Sequence, residues 1–289
     1  MKKIGVFTNE SKDKQLKITK LLVSKMQKQD ALVLLPKHIA ESIGQKELGV
    51  EEEELFKGSE IVIALGGDGT FLSVARKVCC IGVPILGVNV GNLGFLAEVE
   101  KENLDRVIEA LIVGDYKIEN RMVLEAKIVT QDSQSEPYYS INDIVISRGV
   151  ISRVINIEIL LDDLIVDKIP ADGIIISTPT GSTAYSLSAG GPLVEPEMNL
   201  MVITPICPHI LHARSMVVSD KKQVSIIIED RSQSDSMLTI DGQEGIVLGN
   251  DHRINIQKSN HLLKIIKISE KNFYDIVRDK LFNRTCRRK

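Results

Sequence analysis

The sequence predicts an α/β first domain built on a parallel sheet and a second domain of mainly antiparallel β structure. Three observations predict it. Strand-like and helix-like segments alternate over residues 1–117, as they do when helices cover the faces of a parallel sheet. Over residues 118–269, short strand-like runs follow one another between clusters of turn residues. Helical character returns over residues 270–289, and we expect this segment to pack back on the first domain.

Size, charge and cysteine content narrow the class of protein. The 289 residues suggest about two domains and bury enough surface to fold without disulfides or structural metals. The 36 basic and 39 acidic residues give a net charge of −3, which argues against a protein that coats nucleic acid. The sequence shows no C-x-x-C pair, no signal peptide and no apolar stretch of membrane length. We therefore predict a cytoplasmic protein with neither nucleic acid nor membrane as a partner.

The elements of the first domain follow from apolar spacing and from capping residues. Lys3–Phe7 predicts a strand, and Ser11 can cap a helix to about Gln29 because apolar residues recur there at helical spacing. Glu60–Leu65 is densely apolar, as in a strand buried on both faces. The other predicted segments are a short apolar run at Ala31–Leu35, a strand at Val83–Val90, and helices at Thr70–Cys80 and from Asn103 to about Gly114.

The second domain shows strand signals at short spacing. Gly, Asp, Asn and Ser clusters separate the runs, which favours antiparallel pairing. After these runs, Glu270–Phe282 is again typical of a helix. The predicted strands are Met122–Thr130, Tyr138–Ser147, Val154–Leu161, Gly173–Ser177, Val224–Glu229, Met237–Ile240, Ile254–Gln257 and Leu262–Ile268.

A glycine-rich turn follows the buried strand Glu60–Leu65. Gly66, Gly67 and Gly69 let the backbone bend sharply and approach a ligand, and the next helix offers free N–H groups to a phosphate. The turn lies at the carboxyl end of a presumed parallel strand, where α/β sheets bind ligands. A carboxylate there repels phosphate unless it binds a metal or takes a proton, so Asp68 is a candidate general base or Mg²⁺ ligand. The alternative is a tight turn capped by an aspartate.

Two other polar segments interrupt apolar strands. Asp172–Pro192 runs from a buried strand into a turn dense in hydroxyl and backbone donors, which suits a phosphorylated ligand with an aromatic base. Asn142 can pair with an adenine edge, and the adjacent Asp143 can hold a ribose diol. The alternatives are a plain Ser/Thr-rich loop and a solvent-facing strand edge. Neither G-x-x-x-x-G-K-[ST] nor G-x-G-x-x-G occurs, which excludes a P-loop enzyme and the usual dehydrogenase fingerprint.

Together, and in this order, the three motifs resemble the NAD kinase family. That family pairs a GGDGT loop with a later Asn-Asp or Asn-Glu and a DGxxxSTPTGSTAY block, and the resemblance covers about residues 60–245. It implies phosphoryl transfer from ATP or polyphosphate to the 2′-hydroxyl of the adenosine ribose of NAD, giving NADP. It also implies Mg²⁺ or another divalent cation with the donor, and a homodimer or homotetramer. From the residues themselves we predict no metal site, because the cluster of Cys207, His209 and His212 lacks a fourth ligand nearby.

The resemblance implies roles for individual residues. Asp68 would be the base, and Gly66, Gly67 and Gly69 would line the path of the donor phosphates. Asn142 would meet the adenine, and Asp143 the ribose hydroxyls. The remaining implied contacts are Thr183 and Ala184 at the adenine, Tyr185, Ser188 and Asp172 at the nicotinamide half, Arg153 near the dinucleotide, and Gln243 in a late glycine turn.

One residue departs from the family, and two other functions stay open. Pro170 stands where the family commonly has an arginine, so the resemblance implies neither a charge contact there nor a choice between NAD and NADH.

A lipid kinase of the same superfamily shares a related GGDGT loop, and it would need an apolar acyl tunnel in place of the Ser/Thr-rich block. A dinucleotide sensor without catalysis is the second alternative, and the intact Asp68 loop argues against it.

Overall fold

Two units divide the chain in the computed structural model. The first consists of Met1–Asn120 with Leu263–Lys289, and the second of Arg121–Leu262. The structure describes residues 2–91, 94–97, 99–100, 103–149, 154–229, 236–249, 252–268 and 271–282. Within these ranges, no helix has both the length and the apolar character needed to cross a membrane.

The first unit is an α/β fold on a parallel sheet, which confirms the predicted class. Its central strands lie in the order β5-β4-β1-β2, and each neighbouring pair is parallel. The elements are β1 (Lys3–Thr8), α1 (Lys17–Gln27), β2 (Leu32–Pro36), α2 (Lys37–Ser42), β3 (Gly49–Val50), α3 (Glu52–Gly58), β4 (Ile61–Gly66), α4 (Asp68–Val78), β5 (Ile85–Asn89), β6 (Val99–Glu100) and α5 (Leu104–Val113).

The glycine turn forms where β4 passes into α4. Every residue of β4 is buried, as its continuous apolar sequence predicts. Gly67 is extended, and α4 begins at Asp68, two residues earlier than the predicted start at Thr70. Phe71, Val74 and Val78 are buried at helical spacing along α4. This packing holds Asp68 in the first turn of a helix at the carboxyl end of a central strand.

Helix α1 begins later than the sequence predicted. We expected Ser11 to cap it, but the helix starts at Lys17, after a tight turn at Lys14–Leu16. The buried Asp13 carboxylate accepts the Thr19 backbone N–H at 2.8 Å and its hydroxyl at 2.7 Å. A charged acceptor binds these donors more strongly than a serine hydroxyl, so Asp13 sets the start of the helix.

The second unit is mostly antiparallel β structure, as predicted. One sheet has the order β14-β13-β12-β9-β16-β17, and in the other β10 pairs with β11 and β15, and β15 with β18. β7 begins and β18 ends in the first unit. The elements are β7 (Lys117–Val129), β8 (Tyr138–Ser140), β9 (Asp143–Arg148), β10 (Ile155–Leu161), β11 (Leu164–Ala171), β12 (Gly173–Ser177), α6 (Tyr185–Ser188), β13 (Leu200–Ile206), β14 (Met216–Ser219), β15 (Val224–Ile228), β16 (Ser236–Ile240), β17 (Glu244–Leu248) and β18 (Arg253–Lys267).

Several elements differ from the prediction. The predicted strand Tyr138–Ser147 is broken into β8 and β9, and the predicted strands Ile254–Gln257 and Leu262–Ile268 are one continuous strand, β18. Strands β11, β13, β14 and β17 were not predicted. At the C-terminus, α7 (Phe273–Val277) begins at an Asn272–Asp275 capping box, three residues after the predicted start, and a π-helical turn over Arg278–Phe282 continues it to the predicted end. The packing of this segment on the first domain stays a prediction.

Candidate active site

The carboxylate of Asp68 is held by the backbone of another loop in the first unit. Asp68 Oδ2 accepts the N–H of Phe95 at 2.8 Å, and Oδ1 accepts the N–H groups of Leu96 and Ala97, each at 3.1 Å. The loop approaches so closely that a side chain on Gly94 would overlap the carboxylate. Since the acceptor is charged, these bonds are stronger than neutral ones, and together they fix the orientation of the carboxylate.

Counting the bonds from the residues that the structure describes, one acceptor position of this carboxylate remains for a ligand. An ionised carboxylate has about four acceptor positions, and the three N–H groups fill two on Oδ1 and one on Oδ2. Asp68 is partly exposed, so the remaining position on Oδ2 can meet a donor from solvent or substrate. The sequence analysis missed these bonds, because their donors lie 27 to 29 residues further along the chain.

The glycine turn is packed against the loop that follows β1. Thr70, in the first turn of α4, is buried, and its Oγ1 accepts a hydrogen bond from Asn9 Nδ2 at 2.9 Å. Gly66 and Gly67 are buried, whereas Gly69 is exposed. The first N–H groups of an α-helix have no acceptor within the helix and favour an anion. The start of α4 therefore suits a phosphate group.

A cavity of about 380 Å³ lies in the second unit and brings together motifs that are distant in sequence. Its size is within the range of small-ligand sites. Strand β9 pairs with both β12 and β16, which places the Asn-Asp segment beside residues from the later motifs. The predicted residues that line the cavity are Asn142, Asp143, Ala184 and Tyr185, and the other lining residues are Val145, Ser147, Thr239, Asp241 and Gly242.

Asp143 is a buried carboxyl group in the wall of this cavity. Its side chain accepts a hydrogen bond from the backbone N–H of Tyr185, which favours the charged form. Burial and the nearby Asp241 carboxylate act in the opposite direction and raise the pKa of Asp143 to about 7. Asp143 therefore populates both its neutral and its ionised form at neutral pH.

Asp241 holds the irregular segment that connects β8 to β9. Its Oδ1 accepts the Ser140 hydroxyl at 2.7 Å and the N–H groups of Asn142 and Asp143 at 2.8 and 3.2 Å. Its Oδ2 accepts the N–H of Ile141 at 3.1 Å. One buried carboxylate thus satisfies the irregular backbone from which Asn142 and Asp143 enter the cavity.

Asp241 was missed by the sequence analysis, although a local signal marks its position. Asp241, Gly242 and Gln243 form the turn between β16 and β17, and φ is 49° at Asp241 and 64° at Gly242. An Asp-Gly pair between two apolar runs is typical of a hairpin turn, because both residues tolerate positive φ. The dipeptide predicts the hairpin, but only the pairing of β16 with β9 brings the aspartate to the Asn-Asp segment.

The hydroxyl groups of the Ser/Thr-rich block mostly hold the fold. We expected them to face a ligand, but Thr178 Oγ1 donates to the Ile141 carbonyl at 2.6 Å. Ser182 Oγ donates to the Val194 carbonyl and accepts the Val194 N–H. Ser186 shares a hydrogen bond with a neighbouring threonine hydroxyl. These three hydroxyls are bonded within the protein, as buried hydroxyls must be.

The other predicted residues lie at different places in the second unit. Asp172 is half-buried and accepts a hydrogen bond from Arg148 Nε at 2.9 Å, so β9 supplies a cation close to the position where Pro170 replaces the family's arginine. Thr183 Oγ1 donates to a backbone carbonyl within its own turn. Ser188, at the end of α6, and Gln243, on the β16–β17 turn, are exposed, and Arg153 lies outside the described residues.

Models of known protein families match both halves of the chain. Residues 4–116 match the family model for the ATP-NAD kinase N-terminal domain, and residues 141–268 match that for the ATP-NAD kinase C-terminal domain. An NAD kinase of Caldanaerobacter subterraneus subsp. tengcongensis is 45% identical, with 98% of this chain and 100% of the relative covered. An NAD kinase of Acetivibrio thermocellus is 40% identical, with 98% of each chain covered.

Two solved structures resemble this chain. An NAD kinase from Archaeoglobus fulgidus in complex with ATP has a TM-score of 0.75 at 25% identity, with 95% of this chain and 96% of that chain covered. A yeast NADH kinase complexed with NADH has a TM-score of 0.87 at 24% identity, with 98% of this chain and 88% of that chain covered. At 24% identity, the likeness to the yeast enzyme shows a shared fold only.

Replacing Asp241 with alanine should destabilise the second unit by about 3 kcal/mol or more, because it leaves two buried N–H groups, one partly buried N–H group and a buried hydroxyl without their acceptor. Asp241→Asn should lose less stability, because its amide oxygen can still accept hydrogen bonds from some of these donors. Denaturant unfolding measures the difference. Val247→Ala, an exposed change on the same hairpin, is the control. Equal stability of Asp241→Ala and this control would contradict the assignment.

Asp143→Asn should raise the stability of the protein at pH 8 and leave it unchanged at pH 4. The pKa of Asp143 rises from 3.8 to about 7 on folding, so the native state holds the extra proton and loses stability as pH rises through this window. The shift bounds the gain at about 4 kcal/mol. Thermal unfolding across pH measures it, with the exposed Asp132→Asn as the control. A stability difference that does not change with pH would contradict the shift.

Proposed function

The chain belongs to the NAD kinase family and is an NAD kinase, and we propose that Asp68 is the general base of its phosphoryl transfer. The observation that carries this proposal is the open acceptor position on Asp68 Oδ2, while three backbone N–H groups hold the rest of the carboxylate. The acceptor is the 2′-hydroxyl of the adenosine ribose of NAD, and the product is NADP. The full-length relatives favour this activity over lipid phosphorylation or dinucleotide sensing.

We propose that the cavity in the second unit binds the dinucleotide. The Asn142 side chain offers an amide donor and acceptor, which can pair with the adenine edge. Asp143 in its ionised form accepts hydrogen bonds from the ribose hydroxyls. Tyr185 is 46% exposed and lines the same cavity, so its ring can cover a planar group at the cavity mouth.

ATP is the proposed phosphoryl donor. The similar NAD kinase from Archaeoglobus fulgidus holds ATP, which supports this choice. In this chain the positive end of the α4 dipole lies at the glycine turn, which favours the negative charge of the phosphates. Polyphosphate presents the same phosphate chemistry without the nucleoside, and we propose it as a second donor.

The proton leaves the acceptor hydroxyl along its hydrogen bond to Asp68 Oδ2. As the 2′-oxygen bonds to the γ-phosphorus, the bond from that phosphorus to the leaving ADP oxygen breaks and Asp68 receives the hydroxyl proton. Positioning of the two substrates and neutralisation of charge supply most of the acceleration in reactions of this class. A positioned base typically adds about 10²–10⁴-fold.

We propose that Mg²⁺ or another divalent cation enters with the donor phosphates, whose charge it neutralises. Mg²⁺ in such enzymes is bound largely by substrate phosphates and water. In the part of the chain that the structure describes, no group of three or more His, Cys, Asp or Glu side chains could hold a metal ion. The acceptor positions of Asp68 are also mostly filled, which favours its role as a base over that of a metal ligand.

We also propose a homodimer or homotetramer. Leu164, Ile165 and Val166 on β11 are 69, 51 and 37% exposed, and β11 is an outer strand of its sheet in the second unit. An exposed apolar strand of this kind is typical of a surface that a second copy covers. Light scattering, which gives the mass of the particle in solution, tests this assembly.

The purified protein should convert NAD to NADP when it is incubated with ATP or polyphosphate and Mg²⁺. It should not phosphorylate nicotinamide mononucleotide, which lacks the adenosine ribose, or diacylglycerol. Enzymatic cycling detects the NADP, and radiolabelled ATP detects transfer to each acceptor. Label in diacylglycerol with none in NAD would establish a lipid kinase. NAD binding without any transfer would establish a sensor.

Asp68→Asn should lower kcat by about 10²–10⁴-fold while the KM for NAD stays within about tenfold, because the amide keeps the shape but cannot take the proton. The new amide group also faces backbone N–H groups, so hydrogen exchange of Phe95–Ala97 shows whether this loop stays ordered. Steady-state kinetics with saturating ATP measures the effect. A variant that keeps more than about a tenth of the wild-type kcat rules out the base assignment.

A further inference from the structure

Lys12 lies over the glycine turn of the first unit. A methyl group on Gly67 would lie 2.5 Å from the Lys12 Nζ, so the ammonium group occupies the space directly above this glycine. Gly67 is the residue between the end of β4 and the first residue of α4. The absence of a side chain at Gly67 thus leaves room for a cation beside the start of this helix.

The backbone around Lys12 is held by hydrogen bonds to the glycine turn. The N–H of Asn9 donates to the Leu65 carbonyl on β4 at 3.0 Å, and Asn9 Nδ2 donates to Thr70 Oγ1 on α4 at 2.9 Å. The N–H of Lys12 in turn donates to the Asn9 carbonyl at 3.0 Å. Asn9 therefore links the backbone of Lys12 to both elements that flank Gly67.

The other side of Lys12 is anchored by Asp13. The Asp13 N–H also donates to the Asn9 carbonyl at 3.0 Å, and the Asp13 side chain is only 2% exposed. Its carboxylate accepts the N–H groups of Ile18 and Thr19 at the start of α1. Lys12 is thus an exposed residue on a fixed loop. Across the described ranges, its ammonium group makes no hydrogen bond or ion pair with the protein.

We propose that Lys12 binds the phosphates of the phosphoryl donor at the glycine turn, an inference that rests on the kinase activity proposed above. A lysine ammonium is a compact charge with three donors and is a common partner of phosphate. Its position beside the N-terminus of α4 adds a full positive charge to the partial charge of the helix. The cation also offsets the repulsion that the Asp68 carboxylate exerts on a phosphate chain.

Donor-side kinetics test this role. Lys12→Met removes the charge and keeps most of the stem, Lys12→Arg keeps the charge, and Lys14→Met removes an exposed lysine from the same segment as the matched control. In Lys12→Met the KM for ATP should rise about 10- to 100-fold, the range of a lost hydrogen bond to a charged group. The KM for NAD should stay within about twofold, because a lysine that contacts only the donor phosphates does not contribute to NAD binding.

The expected pattern separates binding from a structural effect. Lys12→Arg should retain donor affinity within about threefold, because the positive charge remains. Lys14→Met should match the wild type in both KM values. An unchanged KM for ATP in Lys12→Met overturns the proposal. So does an equal rise in the KM values for ATP and NAD, or the same donor defect in Lys14→Met.

A binding measurement tests the role of Lys12 separately from the kinase activity. Calorimetric titration with inorganic tripolyphosphate needs no turnover, so it reports on Lys12 even if the wild type makes no NADP. Wild type and Lys14→Met should bind tripolyphosphate, and Lys12→Met should bind it about tenfold more weakly or worse. If wild type and Lys12→Met bind it equally, or if wild type does not bind it, Lys12 is not a phosphate ligand.

Discussion

Three aspartates, Asp13, Asp68 and Asp241, each accept two or three backbone N–H groups, and the irregular segments of both units depend on these bonds. A loop at a site lacks the repeating hydrogen bonds of a helix or sheet, so its N–H groups need another acceptor. A carboxylate is well suited because each bond to a charged group contributes roughly 1.5–3 kcal/mol. The start of α1, the loop at 94–97 and the break between β8 and β9 are ordered in this way.

Two of these carboxylates, Asp68 and Asp241, place negative charge at the candidate sites, where we propose that negatively charged substrates bind. In the second unit, Asp241 orders the backbone of Asp143 but also helps to raise the pKa of its carboxyl group to about 7. That arrangement lowers stability and keeps a hydrogen-bonding group in the cavity, as is common at sites where function and stability compete. In the first unit, the Lys12 ammonium lies over the glycine turn that Asp68 follows, so a positive charge lies close to this negative one in the chain.

Local patterns predicted the parts of the fold that local physics decides. The apolar run at Glu60–Leu65 became a buried strand, and the glycine turn and α4 formed within two residues of the predicted positions. The break at Asn142 was not predictable from the apolar run around it, because it depends on the Asp241 carboxylate about 100 residues later. The two runs that form β18 were separated in the prediction because their polar junction resembles a turn.

The sequence by itself determined the fold class, the family and the chemistry of the motifs, because residue type and spacing carry that information. Only the tertiary structure decided which polar groups are available to a ligand. It showed that Ser182 bonds to the backbone, that Arg148 supplies the cation beside Asp172, and that the described residues leave one acceptor position of Asp68 open. These outcomes depend on strand pairing and on contacts between distant segments, and residue spacing along the chain does not encode which buried groups will meet.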